Sequence, residues 1–370
     1  MRKALKKRLS STWIGKLLII VIIISVAGAS IDFWIMGKRV EASLAEQMLH
    51  RQQVVARAGA QSIEDFLASV GSSVSSYAQF EKVIEGKEGA QDRLNLFVKR
   101  WFDTPVFSIA LTDSEGIVVV SANRQGVGQT GVSIADRDYF QWSRDKALPD
   151  EVFIGQAIYG RFGSVEDEYL IPVASGVFSE GKFKGVLIAT VVISELTKVY
   201  LNDLKIDEET RIYLIDASGN MLHAPHEKFI GANYFDYLAS VDYKGKEEAV
   251  EQLWQAATAT EEGKVDVSLP NELTGEIDRF LISHSPVKYQ EGGYWALAVA
   301  SPINTALAFF PQFNTSLIEI LVFIIFVVIV LSCLAILVIR LAQREAFYEG
   351  FTRGRDHSLR TQKTETKEKN

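Results

Sequence analysis

The chain has 370 residues, 46 Asp and Glu against 39 Lys and Arg for a formal net charge of −7, and one cysteine. That length exceeds one ordinary domain, so two or three structural units and a sizeable core are expected. The acidic balance excludes nucleic acid as a partner, and the lone Cys333, inside an apolar run, excludes a disulfide framework and leaves no thiol nucleophile elsewhere.

Leu17 to Ile31 carries no charge. With Trp13 and Ile14 before it, Lys16 snorkelling, and Phe33 to Met36 after it, the run is long enough to span a bilayer. A cleaved signal peptide competes, because Ala27-Gly28-Ala29 matches a small-residue cleavage site; apolar residues and a helical pattern continue past it, which favours retention. Asp32 reads as a headgroup-level residue beside Trp34 rather than a functional intramembrane acid. From about Gly37 to Glu81, Val40, Leu44, Met48, Val55, Ile63, Phe66, Leu67 and Val70 fall mostly three, four or seven apart with no proline, which predicts a long stalk helix.

An internal repeat follows. FSIALTDSEGIVVVSAN (residues 107–123) and RIYLIDASGNMLHAPH (residues 211–226) share a plan of strand, Asp, two small or polar residues, Gly, strand. Asp113 with Gly116 and Asp216 with Gly219 read as hairpin turns, the carboxylate binding nearby amides and glycine supplying positive φ. The further strands are EVFIGQAIYG, EYLIPVAS and KGVLIATVVIS after the first copy, and GKVDVSLP, DRFLISHSP and YWALAVAS after the second. Two similar α+β modules in tandem result. Ile320 to Ile339 then gives twenty uncharged residues between Glu319 and Arg340, a second span. LAQREAFYEGF extends that helix by a few turns, and the polar remainder to Asn370 is expected to be disordered, with no room for a catalytic domain.

Six bases and no acid precede the first span, and eight bases stand against five acids from Arg340 onward, leaving 25 bases against 41 acids between. Positive flanks stay in the cytoplasm, so both termini are expected there and residues 37–317 outside.

Several motifs invite chemistry. Gly126, Gly128 and Gly131 satisfy GxGxxG, but the following helix opens on Asp136-Arg137-Asp138 instead of an apolar packing face, so a loop on the ligand side is expected and not a dinucleotide site. His223 and His226 form HxxH with His284 in a neighbouring strand, a weak zinc pattern without an acidic third ligand; surface histidines and no metal or cofactor are expected. No GxSxG elbow or Ser-His-Asp set stands out. In IADRDYFQW (residues 134–142), Asp136 is placed to cap a helix beginning at Arg137, with Arg137 sharing a face with Phe140 or Gln141 and Asp138 with Trp142. A guanidinium beside a phenol and an indole suits a carboxylate and a stacked organic body; the competing reading makes the three aromatics core and Arg137 a structural ion pair.

Two membrane helices enclosing a stalk helix and two PAS-like modules resemble the double Cache sensor domains of bacterial chemoreceptors, histidine kinases and diguanylate cyclases. The closest local match, residues 136–189, is similar to their membrane-distal module with its DRDYF, FIG and IP landmarks, and the resemblance covers roughly residues 37–302. It implies a small-molecule ligand in the distal module, contacted by Arg137 and Tyr139 with Asp138 beside them, and with Phe140 and Trp142 lining or supporting the site. The amino-acid-binding subgroup has Arg-x-Trp-Tyr and a later aspartate for the ammonium. Here the first reads Arg137-Asp138-Tyr139-Phe140, and Arg161 stands where the acid is sought, with Glu166, Asp167 and Glu168 only further on. Two arginines favour a carboxylate or dicarboxylate.

The expected fold is thus α+β: 1–16 cytoplasmic, 17–36 first transmembrane helix, 37–81 stalk, 82–200 membrane-distal module, 201–302 membrane-proximal module, 303–317 connecting helix, 318–340 second transmembrane helix, 341–370 tail. The expected function is that of a non-enzymatic sensor in a bacterial inner membrane, signalling to a cytoplasmic partner through residues 340–370. Relatives carry an output domain beyond the second span and this chain has none, so a truncated cyclase or kinase receptor is one alternative. A membrane-anchored protein dock and a tethered hydrolase are the others. A homodimer fits the resemblance, although the stalk's apolar stripe is equally suited to covering its own modules.

Overall fold

The computed structural model of the protein describes residues 2–84, 89–126, 128–161, 168–206, 208–272, 274–290, 292–307, 315, 318–338, 340–342, 344, 345 and 348. The chain divides into two compact units, Met1–Ser43 with Leu307–Asn370, and Leu44–Ala306.

In the first unit lie two apolar helical stretches, one in the early part of α1 (Arg2–Ala78) and one at Ile318–Ala342. Both are long and apolar enough to cross a membrane, and their apolar windows are wholly unburied. Ile20, Ile23, Ile24 and Trp34 in one, and Val322, Phe323, Phe326 and Leu331 in the other, are exposed. A helix of a soluble protein would instead confine such side chains to one covered stripe. Ser30 and Ser332 donate to the carbonyls of Val26 and Val328 at 2.8 and 2.7 Å, satisfying each hydroxyl within its own helix.

In the second unit, α1 buries Met48, Leu49, Ala56, Ala60, Ile63, Leu67, Val70 and Val74, a stripe at helical spacing. After α2 (Glu81–Ile84) and α3 (Ala90–Arg100) come β1 (Val106–Thr112), β2 (Val118–Asn123), α4 (Asp138–Asp145), β3 (Val152–Ile154), β4 (Ile158–Tyr159), β5 (Tyr169–Ser179) and β6 (Lys182–Val192). They make a sheet in the order β2-β1-β6-β5-β3, with β4 on β5. Helix α5 (Ile193–Tyr200) leads to β7 (Arg211–Asp216), β8 (Met221–His223), α6 (Tyr234–Ser240), α7 (Lys246–Ala257), β9 (Gly263–Pro270), β10 (Ile277–Gln290), β11 (Gly293–Pro302) and α8 (Ile303–Ala306). The second sheet runs β8-β7-β11-β10-β9, the same path. Every pairing in both sheets is antiparallel.

The repeat is visible down to its turns. Asp113 Oδ1 accepts from the amides of Glu115 and Ile117 at 3.0 and 2.9 Å, and Asp216 Oδ1 from those of Ser218 and Asn220 at 2.9 and 2.8 Å. Gly116 and Gly219 follow at φ 83° and 88°, where a side chain would be strained.

Strand alternation gives each sheet two buried faces. On β6, Leu187, Ala189 and Val191 pack into a core shared with α1, while Val186 and Ile188 point to the opposite face with Phe140 and Tyr139. On β11, Trp295 and Leu297 join the α1 core, and Ala298 and Ala300 face a separate core under α6 and α7. The stalk stripe is therefore buried on the chain's own modules. At Gly59 the approach is closest: a Cβ there would sit 2.6 Å from Leu204 Cδ1 and 2.8 Å from Leu297 Cδ2.

Candidate functional site

A cavity of about 500 Å³ lies in the first module, between its sheet and the segments that cover it. Ser108 and Ala110 of β1, Asn123 at the end of β2, Ile188 and Thr190 of β6, and Leu170 and Pro172 of β5 form the sheet wall; Gly128, Gln129, Ile134, Arg137 and Tyr139 come from the segment after β2 into α4, and Tyr159, Gly160 and Arg161 from the end of β4 onward.

The covering segment lies against β2 because glycine lets it. A Cβ on Gly128 would strike the Ser121 carbonyl, and Gly126 and Gly131 take φ values of 80° and 76°. The GxGxxG spacing thus serves close backbone approach along a strand, with Gly131 N–H donating to the Val118 carbonyl at 2.8 Å.

Helix α4 starts one residue later than expected. Arg137 is its N-cap in extended conformation and makes no side-chain cap hydrogen bond; Asp136, expected as the cap, instead accepts from Arg161, Oδ2 to Nη1 at 2.6 Å. That hydrogen bond holds the Asp136 carboxyl below its usual range. Because Arg137 precedes the helix, it does not share a helical face with Phe140 or Gln141; its extended backbone turns it to the cavity wall. Its guanidinium has no hydrogen-bond or ion-pair partner among the described residues. Tyr139, only 6% exposed, lines the cavity too, and burial pushes its hydroxyl up to about 12, which keeps it a protonated donor.

Of the six residues expected at the site, the structure brings Arg137, Tyr139 and Arg161 together on the wall. The other three lie off it. Phe140 is fully buried, edge-on to Phe183 at 5.9 Å; Trp142 packs on Phe153 at 5.3 Å; Asp138 is exposed and accepts from the Tyr139 amide at 2.7 Å. Glu166 and Asp167 fall outside the described residues, and Glu168 accepts from Ser194 at 3.3 Å instead of lining the wall. Asn123, Gln129, Ser108, Thr190 and Tyr159 are polar wall residues that sequence reasoning missed. Ser108 and Thr190 carried a faint signal, each being a polar residue in a run of apolar strand residues.

The wall carries two guanidinium groups and no carboxylate of its own among the described residues, with Asp136 standing behind Arg161. Its chemistry suits an organic anion with an apolar portion on Ile188, Leu170 and Pro172.

The histidines do not converge. His223 is on β8 and His284 on β10, three strand spacings apart, roughly 14 Å, and the described residues hold no group of three metal-ligating side chains. Nor are they surface groups as expected: His284 is 5% exposed and His223 half-buried, because β10 and β8 turn them toward packed faces.

Two α+β modules of identical strand path behind one long helix, the first enclosing a half-polar cavity, define the class of tandem PAS-like sensor domains. The family model for the Cache domain matches residues 38–308, and the chain belongs to the Cache family. No curated protein sequence matches it. Among solved structures, methyl-accepting chemotaxis protein X is similar at TM-score 0.52 and 16% identity, over 71% of this chain and 99% of that one. The ligand-binding domain of the Campylobacter jejuni chemoreceptor Tlp3 in complex with 4-methylisoleucine gives 0.50 and 14%, over 71% and 94%. That of the Pseudomonas fluorescens chemoreceptor CtaA in complex with L-isoleucine gives 0.50 and 13%, over 73% and 97%.

Proposed function

We propose that the first module is the ligand-binding module of a membrane receptor and that its ligand is a small organic acid with one or two carboxylates. The observation that carries this is Arg137, a cation on the wall of a 500 Å³ cavity with no hydrogen-bonded partner among the described residues. A carboxylate accepts both arms of its fork. Tyr139 donates beside it, and Arg161 serves a second carboxylate or holds the covering segments together through Asp136. Phe140 and Trp142 keep α4 in place from behind.

Both apolar helices cross the inner membrane of a bacterium, with the positive flanks and both termini cytoplasmic and the two modules outside. The first module lies distal to the membrane, and α1, which joins the covered stalk to the apolar stretch, carries the signal. Ligand shifts the balance between two arrangements by no more than its differential affinity for them, and residues 340–370 pass the change to a cytoplasmic partner.

The test is thermal unfolding of the full chain in lipid nanodiscs against panels of mono- and dicarboxylates, amino acids, amines and purines. A ligand at a hundred times its dissociation constant adds about 2.7 kcal/mol. A carboxylate shift lost in Arg137→Ala supports the reading; an undiminished shift in that variant removes it. An α-amino acid is the second reading, favoured by the ligands named with the similar Tlp3 and CtaA structures. It requires an acid for the ammonium, and an amino-acid shift unmatched by the deaminated acid would select it.

A further inference from the structure

The second module has a cavity of its own, about 50 Å³, between its sheet and α6 and α7. It lies over the same sheet positions as the first. Counting back from the hairpin aspartates, Ser108 and Ala110 stand five and three residues before Asp113, and Arg211 and Tyr213 stand five and three before Asp216; all four line their cavities. The rows match across the strands as well. Ser108 pairs with Thr190, which pairs with Pro172, and Arg211 pairs with Ala300, which pairs with Ile282. In the first module the charged groups come from the covering segments. In the second they come from the sheet.

The space exists because β11 puts Ala296, Ala298 and Ala300 on that face, so the middle of the sheet carries no side chain beyond Cβ. Arg211 is 8% exposed, yet no carboxylate lies within ion-pair distance of it among the described residues. Asn271 Oδ1 takes one of its donors at 2.9 Å, and the Phe280 ring lies 5.0 Å beneath the guanidinium. A guanidinium has five donors. Glu272 accepts from the Tyr213 hydroxyl at 3.1 Å through one carboxylate oxygen, its other oxygen is buried without a hydrogen-bond partner among the described residues, and it reaches Arg211 electrostatically without forming an ion pair. Across Ala298 in the next row stands His284, 5% exposed, its Nδ1 without a partner. Its ring has room only because Gly263, its cross-strand neighbour, lacks the Cβ that would strike Nε2. Two buried polar side chains with unused hydrogen-bonding capacity therefore face one apolar slot, and a native interior seldom leaves such groups unsatisfied.

We propose that this slot is a second ligand site, built for a two- or three-carbon monocarboxylate. The carboxylate lies on Arg211 with His284 as a further polar neighbour, and the methyl or ethyl group rests on the alanines and Leu253. The size sets the class: a cavity of about 150 Å³ holds benzene, and this one is about a third of that. Longer chains meet Leu253, Ile282 and Phe235.

The test is equilibrium dialysis of carbon-14 acetate against the full chain in nanodiscs, in an Arg137→Ala background so that the first module does not contribute. One equivalent of acetate is expected, with butyrate competing at least tenfold more weakly. Ala300→Val, which fills the slot beside Arg211, is expected to weaken acetate at least tenfold while the chain still melts cooperatively, and Arg211→Gln to do the same. If Arg211→Gln does not fold, Ala300→Val decides. No bound acetate in the Arg137→Ala protein, or acetate binding unchanged by Ala300→Val, would overturn the proposal. Neither result bears on the first module, whose test uses the wild-type chain and its own ligand panel.

Discussion

At the scale of single residues, burial decides more than motif. His223, marked in the sequence only as half of an HxxH pair, is held by burial at about 4, down from its ordinary 6.5. Between those values the unfolded chain takes up a proton that the folded chain refuses, so stability is complete above about pH 6.5 and falls as the pH drops toward 4. The loss from this group is at most about 3 kcal/mol. Urea midpoints across that range in wild type and His223→Gln check it, and an equally steep acid loss in the variant would count against it. Phe140 and Arg161, both expected at the ligand, separate in the same way. Phe140→Ala is expected to cost about 3–5 kcal/mol, as a large core ring does, visible as a lowered midpoint. Arg161→Ala is expected to leave the midpoint unchanged, since both partners of its ion pair are more than half exposed; its effect belongs in ligand affinity.

At the scale of elements, the stalk and the hairpins obey local rules that a sequence displays. The three-and-four spacing of Ile63, Leu67, Val70 and Val74 is the buried stripe of α1, and an aspartate three residues before a glycine makes each turn. What packs against the stripe is not a local matter. Gly59 permits contact with Leu204 and Leu297, residues far along the chain. Gly59→Leu should therefore cost about 1–3 kcal/mol by overpacking despite its better helix propensity. Chemical denaturation would show this, and a gain in stability would mean that α1 stands further from β11 than its contacts indicate. The start of α4 is likewise set from a distance. Asp136 has the chemistry of a cap, but Arg161, 25 residues away, competes for the same carboxylate and wins.

At the scale of the whole molecule, the proposed topology makes a prediction that the single cysteine simplifies. In a Cys333→Ala background, a cysteine at the exposed Ser218 of the β7–β8 turn should react with an impermeant maleimide on intact cells, and one at Ser10 only after lysis. The opposite pattern would invert the receptor.

Much of this was legible from residue order. Two uncharged runs, a stalk period and a repeated strand-Asp-Gly-strand unit depend on neighbours within a few positions, and the hydrophobic effect and backbone sterics act on them wherever the chain goes. They determined an α+β chain with two membrane-length helices and two like modules. Tertiary structure alone decided which side chains meet. Ser108 and Thr190 reach one wall because β1 pairs with β6 across more than eighty positions of sequence, and Arg137 and Tyr139 reach it because the segment after β2 folds back over that sheet; Arg211 faces the same slot as His284 because β11 lies between β7 and β10 with alanines on that face. Long-range strand pairing sets these distances, and no local pattern of charge or hydropathy encodes them.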